Sequence, residues 1–151
     1  MNRSIVGGVA TTMLALVAVF GGAASAQADD GSDCTRTRVC VWENQDYWEN
    51  MNGSGFRGMT QSDQYYSETS WSDNSAPNIN DKVSSVKSYG ASCRVRFFTD
   101  EKYGGSSIYF KRVADGYNYE DPMLSDGGGT GSASGQNWDD RISSHRFVDC
   151  V

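Results

Sequence analysis

The strongest constraint on the fold of this 151-residue chain is an eight-residue pattern written twice. Asn80-Asp81-Lys82-Val83-Ser84-Ser85-Val86-Lys87 returns 59 residues later as Asp139-Asp140-Arg141-Ile142-Ser143-Ser144-His145-Arg146. Each copy is two Asx residues, a basic residue, a β-branched apolar residue and two serines. A second element precedes each copy, an apolar segment ending in an aromatic. Val39-Cys40-Val41-Trp42 leads into Glu43-Asn44-Gln45-Asp46-Tyr47, and Arg94-Val95-Arg96-Phe97-Phe98 leads into Thr99-Asp100-Glu101-Lys102-Tyr103-Gly104-Gly105. A period of this kind marks one supersecondary unit used more than once. Two halves, about 34–89 and 93–150, follow one plan.

The start of the chain does not belong to that plan. Residues 1–3 are short and cationic, 4–20 form an apolar run without a charge, and Ala24-Ser25-Ala26 supplies a small-x-small cleavage pattern. Ala26-Gln27-Ala28 offers a second cut. The segment reads as a signal peptide over 1–28, and no second apolar run follows to act as a membrane anchor. The expected product is a secreted domain over 29–151, of a size that suits one domain.

The mature part holds one leucine (Leu124), eight valines and 17 aromatics. β-Branched and aromatic residues suit a pleated, half-buried surface, and frequent Gly, Ser, Asn and Asp leave little room for long helices. Both point to an all-β chain. Val95 and Phe97 alternate with Arg94 and Arg96, and Ser107-Ile108-Tyr109-Phe110 follows the Gly104-Gly105 turn as the return of a hairpin. In the repeated arch, Asx and Ser side chains are expected to bond their own backbone. Two polar stretches, 52–78 and 126–136, read as exposed loops, the second glycine-rich and flexible.

Four cysteines remain in the mature part, Cys34, Cys40, Cys93 and Cys150. In an oxidising compartment they read as two disulfides with three possible connectivities. The most economical pairs Cys34 with Cys40 and Cys93 with Cys150. The longer loop would contribute about 4 kcal/mol on a chain-entropy estimate. No C-x-x-C pair exists and only His145 could assist, which argues against zinc.

After cleavage, 12 basic residues face 19 acidic ones. Such a surface repels polyphosphates and anionic lipids, so neither nucleic acid nor membrane is expected as a partner. Catalysis finds no support either. His145 is the only imidazole, and its neighbour Ser144 would point to the opposite face of a strand. His145 is expected as a surface or edge-strand residue, and the chain as a non-enzyme. Tyr65, Tyr66, Trp71, Tyr117 and Tyr119 could dock a carbohydrate or cell wall, or serve a toxin-like module. In a leucine-poor domain they are expected to fill core and loop contacts instead.

These residues resemble a known superfamily. Phe98…Tyr103-Gly104-Gly105 looks like the signature of a βγ-crystallin Greek key, and the paired Asx-Asx-x-x-Ser-Ser arches look like the calcium motif of microbial βγ-crystallins. Cys34…Cys40-Val41-Trp42-Glu43-Asn44 is similar to the start of secreted proteins of the Streptomyces metalloproteinase-inhibitor family, which has the same fold. The resemblance implies a βγ-crystallin-like sandwich of two Greek-key motifs, about eight strands and two disulfides. It implies two calcium ions, with side-chain ligation from Asp81, Ser84, Asp140 and Ser143. Carbonyls would come from Lys82, Arg141, Glu43 and Thr99, with Asn80 and Asp139 opening the motif. Calcium needs six to eight hard oxygens, more than one arch can supply, so each site requires both arches.

The family also implies a monomer whose partner is an extracellular protease. The inhibitor pattern braces its reactive loop with a short second disulfide, which the distant Cys93 and Cys150 cannot provide. Loops 111–123 and 52–78 are the candidates left. One more departure concerns the first key. Glu49 stands where a glycine should supply the φ > 0 bend, so that key should be distorted or turn instead at Asn52-Gly53.

Overall fold

The computed structural model describes residues 34–49, 55–72, 78–90 and 92–151. The segment read as a signal peptide and the turn expected at Asn52-Gly53 lie outside these residues. Two antiparallel sheets form. Strands β1 (Val39–Trp42), β2 (Phe56–Met59), β3 (Ser85–Ser88) and β6 (Glu120–Asp121) make the first, in the order β2-β1-β3-β6. Strands β4 (Arg94–Asp100), β5 (Gly104–Phe110) and β7 (Ser144–Val148) make the second, in the order β5-β4-β7.

Each sheet borrows its last member from the other half, the exchange that defines paired Greek keys. In the first sheet Asp121 of β6 pairs with Val86 of β3. In the second, Asp63 of the first half bridges His145 of β7, with hydrogen bonds of 3.0 and 2.9 Å in the two directions. Val86 and His145 are the same position of the repeat, so the two bridges are equivalent under a pseudo-twofold rotation. About eight strands were expected and seven are formed among the described residues. The eighth is reduced to that one bridge.

The core lies between the sheets. Val39, Val41 and Val86 from one face Val95, Phe97, Ile108 and Phe110 from the other, closed by Tyr66, Trp71, Leu124 and Trp138. Burying a side chain such as Phe97 or Ile108 contributes about 1.5–3 kcal/mol. Arg94 and Arg96 alternate outward, as the period-2 pattern of β4 requires. β1 is buried on both faces, because Cys40 and Trp42 turn to a second cluster with Cys34 and Phe56. The disulfides are Cys34–Cys40 and Cys93–Cys150, the second spanning 57 residues. No helix among the described residues is long and apolar enough to cross a membrane.

Three expectations need correction. The stretch 52–78 is more than an exposed loop, since it contains β2 and sends fully buried Tyr66 and Trp71 into the core. The stretch 126–136 is tied to the edge of β5, where Thr130 and Tyr109 exchange backbone hydrogen bonds of 2.9 and 2.8 Å. Its glycines permit that approach: a Cβ on Gly129 would stand 2.6 Å from the Tyr109 carbonyl. Finally, His145 is on an edge strand but is fully buried rather than at the surface.

Candidate functional site

Each key turns through a 3-10 bend with two consecutive left-handed residues, Asp46 and Tyr47 (φ 56° and 58°) in the first and Lys102 and Tyr103 (φ 56° and 64°) in the second. Such a bend strands backbone polar groups, and the second serine of each arch satisfies them. Ser85 Oγ donates to the Asn44 carbonyl (2.7 Å) and accepts from Tyr47 N–H (3.3 Å). Ser144 Oγ donates to the Asp100 carbonyl (2.7 Å) and accepts from Tyr103 N–H (3.2 Å). Both serines are fully buried. They are structural clamps that reading the motif for ligands passes over, although the doubled Ser-Ser was visible.

The arches are braced from in front as well. Asn78 Oδ1 accepts from Asn80 N–H at 3.2 Å and Asn137 Oδ1 from Asp139 N–H at 2.8 Å. These Asx turns belong to the residues just ahead of each arch. Within the arch Asn80 bonds the Asp81 side chain and the serines reach the backbone of other segments, so the expected bonding of the arch to its own backbone is corrected. The signal for Asn78 and Asn137 was present, since the repeat extends upstream as Asn78-Ile79 and Asn137-Trp138.

The arches then cross. Asp81 N–H donates to the Ile142 carbonyl and Asp140 N–H to the Val83 carbonyl, both at 3.1 Å. Asp81 and Asp140 take the same left-handed backbone, φ 53° and 54°. Each arch also docks on the strand that leads into its own half's key turn, Ser84 N–H on the Trp42 carbonyl and Ser143 N–H on that of Phe98.

This crossing brings oxygen atoms of both halves together. Ser143 Oγ lies 2.9 Å from Asp81 Oδ1 and 2.8 Å from the Thr99 carbonyl. Its single proton can serve only one of them at a time. Asp81, Thr99, Asp100, Asp140 and Arg141 line an open depression over the crossing. Asn80 Nδ2 holds Asp81 Oδ2 at 2.8 Å. Two oxygens at matched positions, Asn80 Oδ1 and Asp139 Oδ1, are buried and have no hydrogen-bond partner among the described residues.

The other half of the crossing is more crowded with charge. The Asp140 carboxyl is pushed above its ordinary value, first by partial burial and then by the charges of Asp139, Glu43 and Asp81. Ser84, the counterpart of Ser143, makes no hydroxyl contact matching the Ser143–Asp81 pair among the described residues. Lys82 sits half-buried at the step that Arg141 occupies in the other arch. No three His, Cys, Asp or Glu side chains among the described residues are grouped to hold a metal. Any cation at these arches would therefore depend on carbonyl and hydroxyl oxygens beside one or two carboxylates.

His145 stands apart from this arrangement. The Gln61 carbonyl can only accept, so Nε2–H donates to it at 2.9 Å, and Nδ1 accepts from Tyr66 Oη–H at 2.9 Å. Burial lowers the imidazole to about 4 against the opposing pull of Asp63 and the Gln61 carbonyl. Ser144 is clamped to the key turn and shares no hydrogen bond with it.

Known structures share this architecture. One solved in work on the evolution of the eye-lens βγ-crystallin domain fold is 19% identical, with a TM-score of 0.51 over 78% of this chain and 90% of its own. A βγ-crystallin from Ciona intestinalis is 18% identical, with a TM-score of 0.48 over 74% of this chain and 99% of its own. One from an archaeon is 21% identical, with a TM-score of 0.48 over 76% and 100%. At 19% identity the first of these likenesses, with its TM-score of 0.51, shows the βγ-crystallin fold alone. No curated protein sequence matches the chain. The sequence profile of peptidase inhibitor family I36 does, over residues 27–110, more than half of the chain. On that match, the chain whose doubled arches fold into a βγ-crystallin sandwich belongs to peptidase inhibitor family I36.

Proposed function

We propose that the protein is a secreted, non-enzymatic inhibitor of an extracellular peptidase, its sandwich clasped at the crossed arches by two calcium ions. The observation that carries the calcium reading is the meeting of Asp81 from one arch, Ser143 from the other and the Thr99 carbonyl of a key turn. The donor set suits a hard cation: every candidate atom is an oxygen, and two buried ones lack a hydrogen-bond partner among the described residues. One site would take Asp81, Ser143 and the carbonyls of Thr99 and Arg141. By the pseudo-twofold, the other would take Asp140, Ser84 and the carbonyls of Glu43 and Lys82, with Asn80 and Asp139 flanking the pair. So few carboxylates give an affinity of roughly micromolar to millimolar, adequate outside the cell.

Family membership supports inhibition, and two disulfides suit an oxidising, extracellular setting. The separation of Ser144 from His145 supports a non-enzymatic reading. Calcium that binds only the folded state adds about 2.7 kcal/mol per site at a hundredfold excess over its dissociation constant. That corresponds to a rise in Tm of several degrees. The rise is expected in calcium relative to chelator, and Asp81→Ala combined with Asp140→Ala is expected to abolish it. Identical melting curves in chelator and in millimolar calcium reject the ion. A panel of thermolysin-like and serine proteases left fully active at micromolar protein rejects inhibition.

A further inference from the structure

We infer that the turn over 111–119 is the segment that engages the peptidase, with Tyr117 as the side chain that enters an aromatic-accepting specificity pocket. The inference rests on the inhibitor reading above.

Tyr117 is 63% exposed, the most exposed aromatic among the described residues; Trp48 follows at 38%. Tyr is among the side chains that most often anchor protein interfaces, and this one stands on a turn held in place before any partner binds.

The turn that carries it is held on every side. The 3-10 bend Val113–Asp115 is closed by Asp115, whose carboxylate accepts from Arg112 N–H at 3.1 Å and pairs with its guanidinium at 2.7 Å. Lys111 N–H donates to the Asn118 carbonyl at 2.8 Å, shutting the loop at its neck. Asn118 Nδ2 donates to the Gly129 carbonyl at 3.2 Å, and Ser88 N–H donates to the Tyr119 carbonyl at 2.6 Å, fixing the loop to the 126–136 segment and to β3. The ring itself carries Lys111 Nζ at 3.6 Å from its centroid. Ordering such a segment is complete before any partner arrives, which is what tight binding by a loop requires.

The backbone also specifies the manner of docking. Gly116 (φ 77°) and Asn118 (φ 54°) flank Tyr117 with left-handed residues. A substrate lies extended across a peptidase cleft, and this bracket prevents that. Tyr117 therefore enters side chain first, as a plug, and the bonds around it are not presented for cleavage. The turn sits beside the depression lined by Arg94, Tyr109 and Lys111, near the start of β4, whereas the arches gather at its far end around Thr99.

The test is inhibition of chymotrypsin and thermolysin, which accept large apolar side chains, with trypsin as the probe whose pocket takes a cation. Wild-type protein should inhibit at least one of the first two more strongly than trypsin and remain uncut. Tyr117→Ala should weaken that inhibition by about thirtyfold, the size of an interface hot spot. Tyr117→Phe should stay within about threefold, and Trp48→Ala should match wild type. Unchanged Tm values show that the exposed substitutions leave the fold intact. Equal inhibition by Tyr117→Ala, preference for trypsin, or cleavage next to residue 117 overturns this inference while leaving the inhibitor reading in place. Wild-type protein that inhibits none of the three removes both together.

Discussion

The two halves repeat each other most faithfully where a side chain serves the backbone and diverge where it meets another side chain. Ser85 and Ser144 clamp their key turns with the same two bonds, and Asn78 and Asn137 close the same Asx turns. At the bridge that exchanges strands, however, the first half places Val86 and the second His145. Val86 packs into the common core, whereas His145 holds Tyr66 and the Gln61 carbonyl. Main-chain partners are dictated by the fold and admit few substitutes. A core position needs only a filled volume and satisfied polar atoms, so the halves could solve it differently.

Exchanging the two solutions should break this comparison most visibly. His145→Val copies the first half but leaves the Tyr66 hydroxyl and the Gln61 carbonyl unpaired, a cost of about 2–4 kcal/mol at neutral pH. The pH dependence should change too. With its folded pKa lowered to about 4, His145 binds fewer protons in the native state than in the unfolded chain. Its contribution is then fully present above the unfolded value near 6.5 and is lost as pH falls towards 4, by up to about 3 kcal/mol. Denaturant titrations at pH 7, 5 and 4 should show this slope in wild type and a shallower one in the variant. Parallel slopes would mean that His145 does not titrate as a buried neutral group.

The key turns give the next largest effect. Gly105 has φ 70°, and a Cβ there would collide with Thr99 Oγ1 and meet the Asp100 carboxylate at 2.7 Å. In the first key the matching residue by sequence is Glu49, yet the left-handed glycine is Gly55 (φ 83°), whose carbonyl accepts from Glu43 N–H at 2.8 Å. The first hairpin thus defers its return, while β5 follows its bend at once. Gly105→Ala should cost about 1–3 kcal/mol and Gly55→Ala about 1–2 kcal/mol, measured by thermal or urea unfolding. Equal losses would erase the distinction between an immediate and a deferred return.

These positions also show what the sequence disclosed. The arch and the key bend were legible because the same residue types recur at the same spacing in both halves, although the backbone groups that Ser85 and Ser144 satisfy belong to a distant segment, the key turn. The all-β class and both disulfides were legible for a similar reason, from residue types rather than placement. The exchange of strands was not: Asp63, Glu120 and Asp121 look like ordinary polar loop residues, and only long-range pairing makes a strand of Glu120–Asp121 and a bridge of Asp63. His145 was misread because alternation shows which face a residue takes but not that Tyr66 and Gln61 wait there to satisfy it. Of the candidate site, the residues were visible and their division between two crossed arches followed from the repeat. The unequal charge around Asp81 and Asp140 needed the structure.

That inequality yields the smallest effect and the sharpest one, because its sign differs between the halves. Asp81 accepts from Ser143 and from Asn80, so Asp81→Asn removes charge from a satisfied acceptor and should cost less than about 1 kcal/mol without calcium. Asp140 has its carboxyl raised by burial and by Asp139, Glu43 and Asp81. Between its unfolded and folded values the native state binds more protons than the unfolded chain. Ion-free stability therefore falls as pH climbs through that window and stays lowered at neutral pH. Asp140→Asn removes the crowded charge, so in chelator at pH 7 its Tm should equal or exceed that of wild type, while that of Asp81→Asn falls below. In calcium both variants should lose part of the rise, since each lacks one carboxylate. Melting each protein in chelator and in calcium gives the comparison directly. A lower ion-free Tm for Asp140→Asn would show that its carboxylate stabilises the arch without an ion, and that the two halves are electrostatically alike.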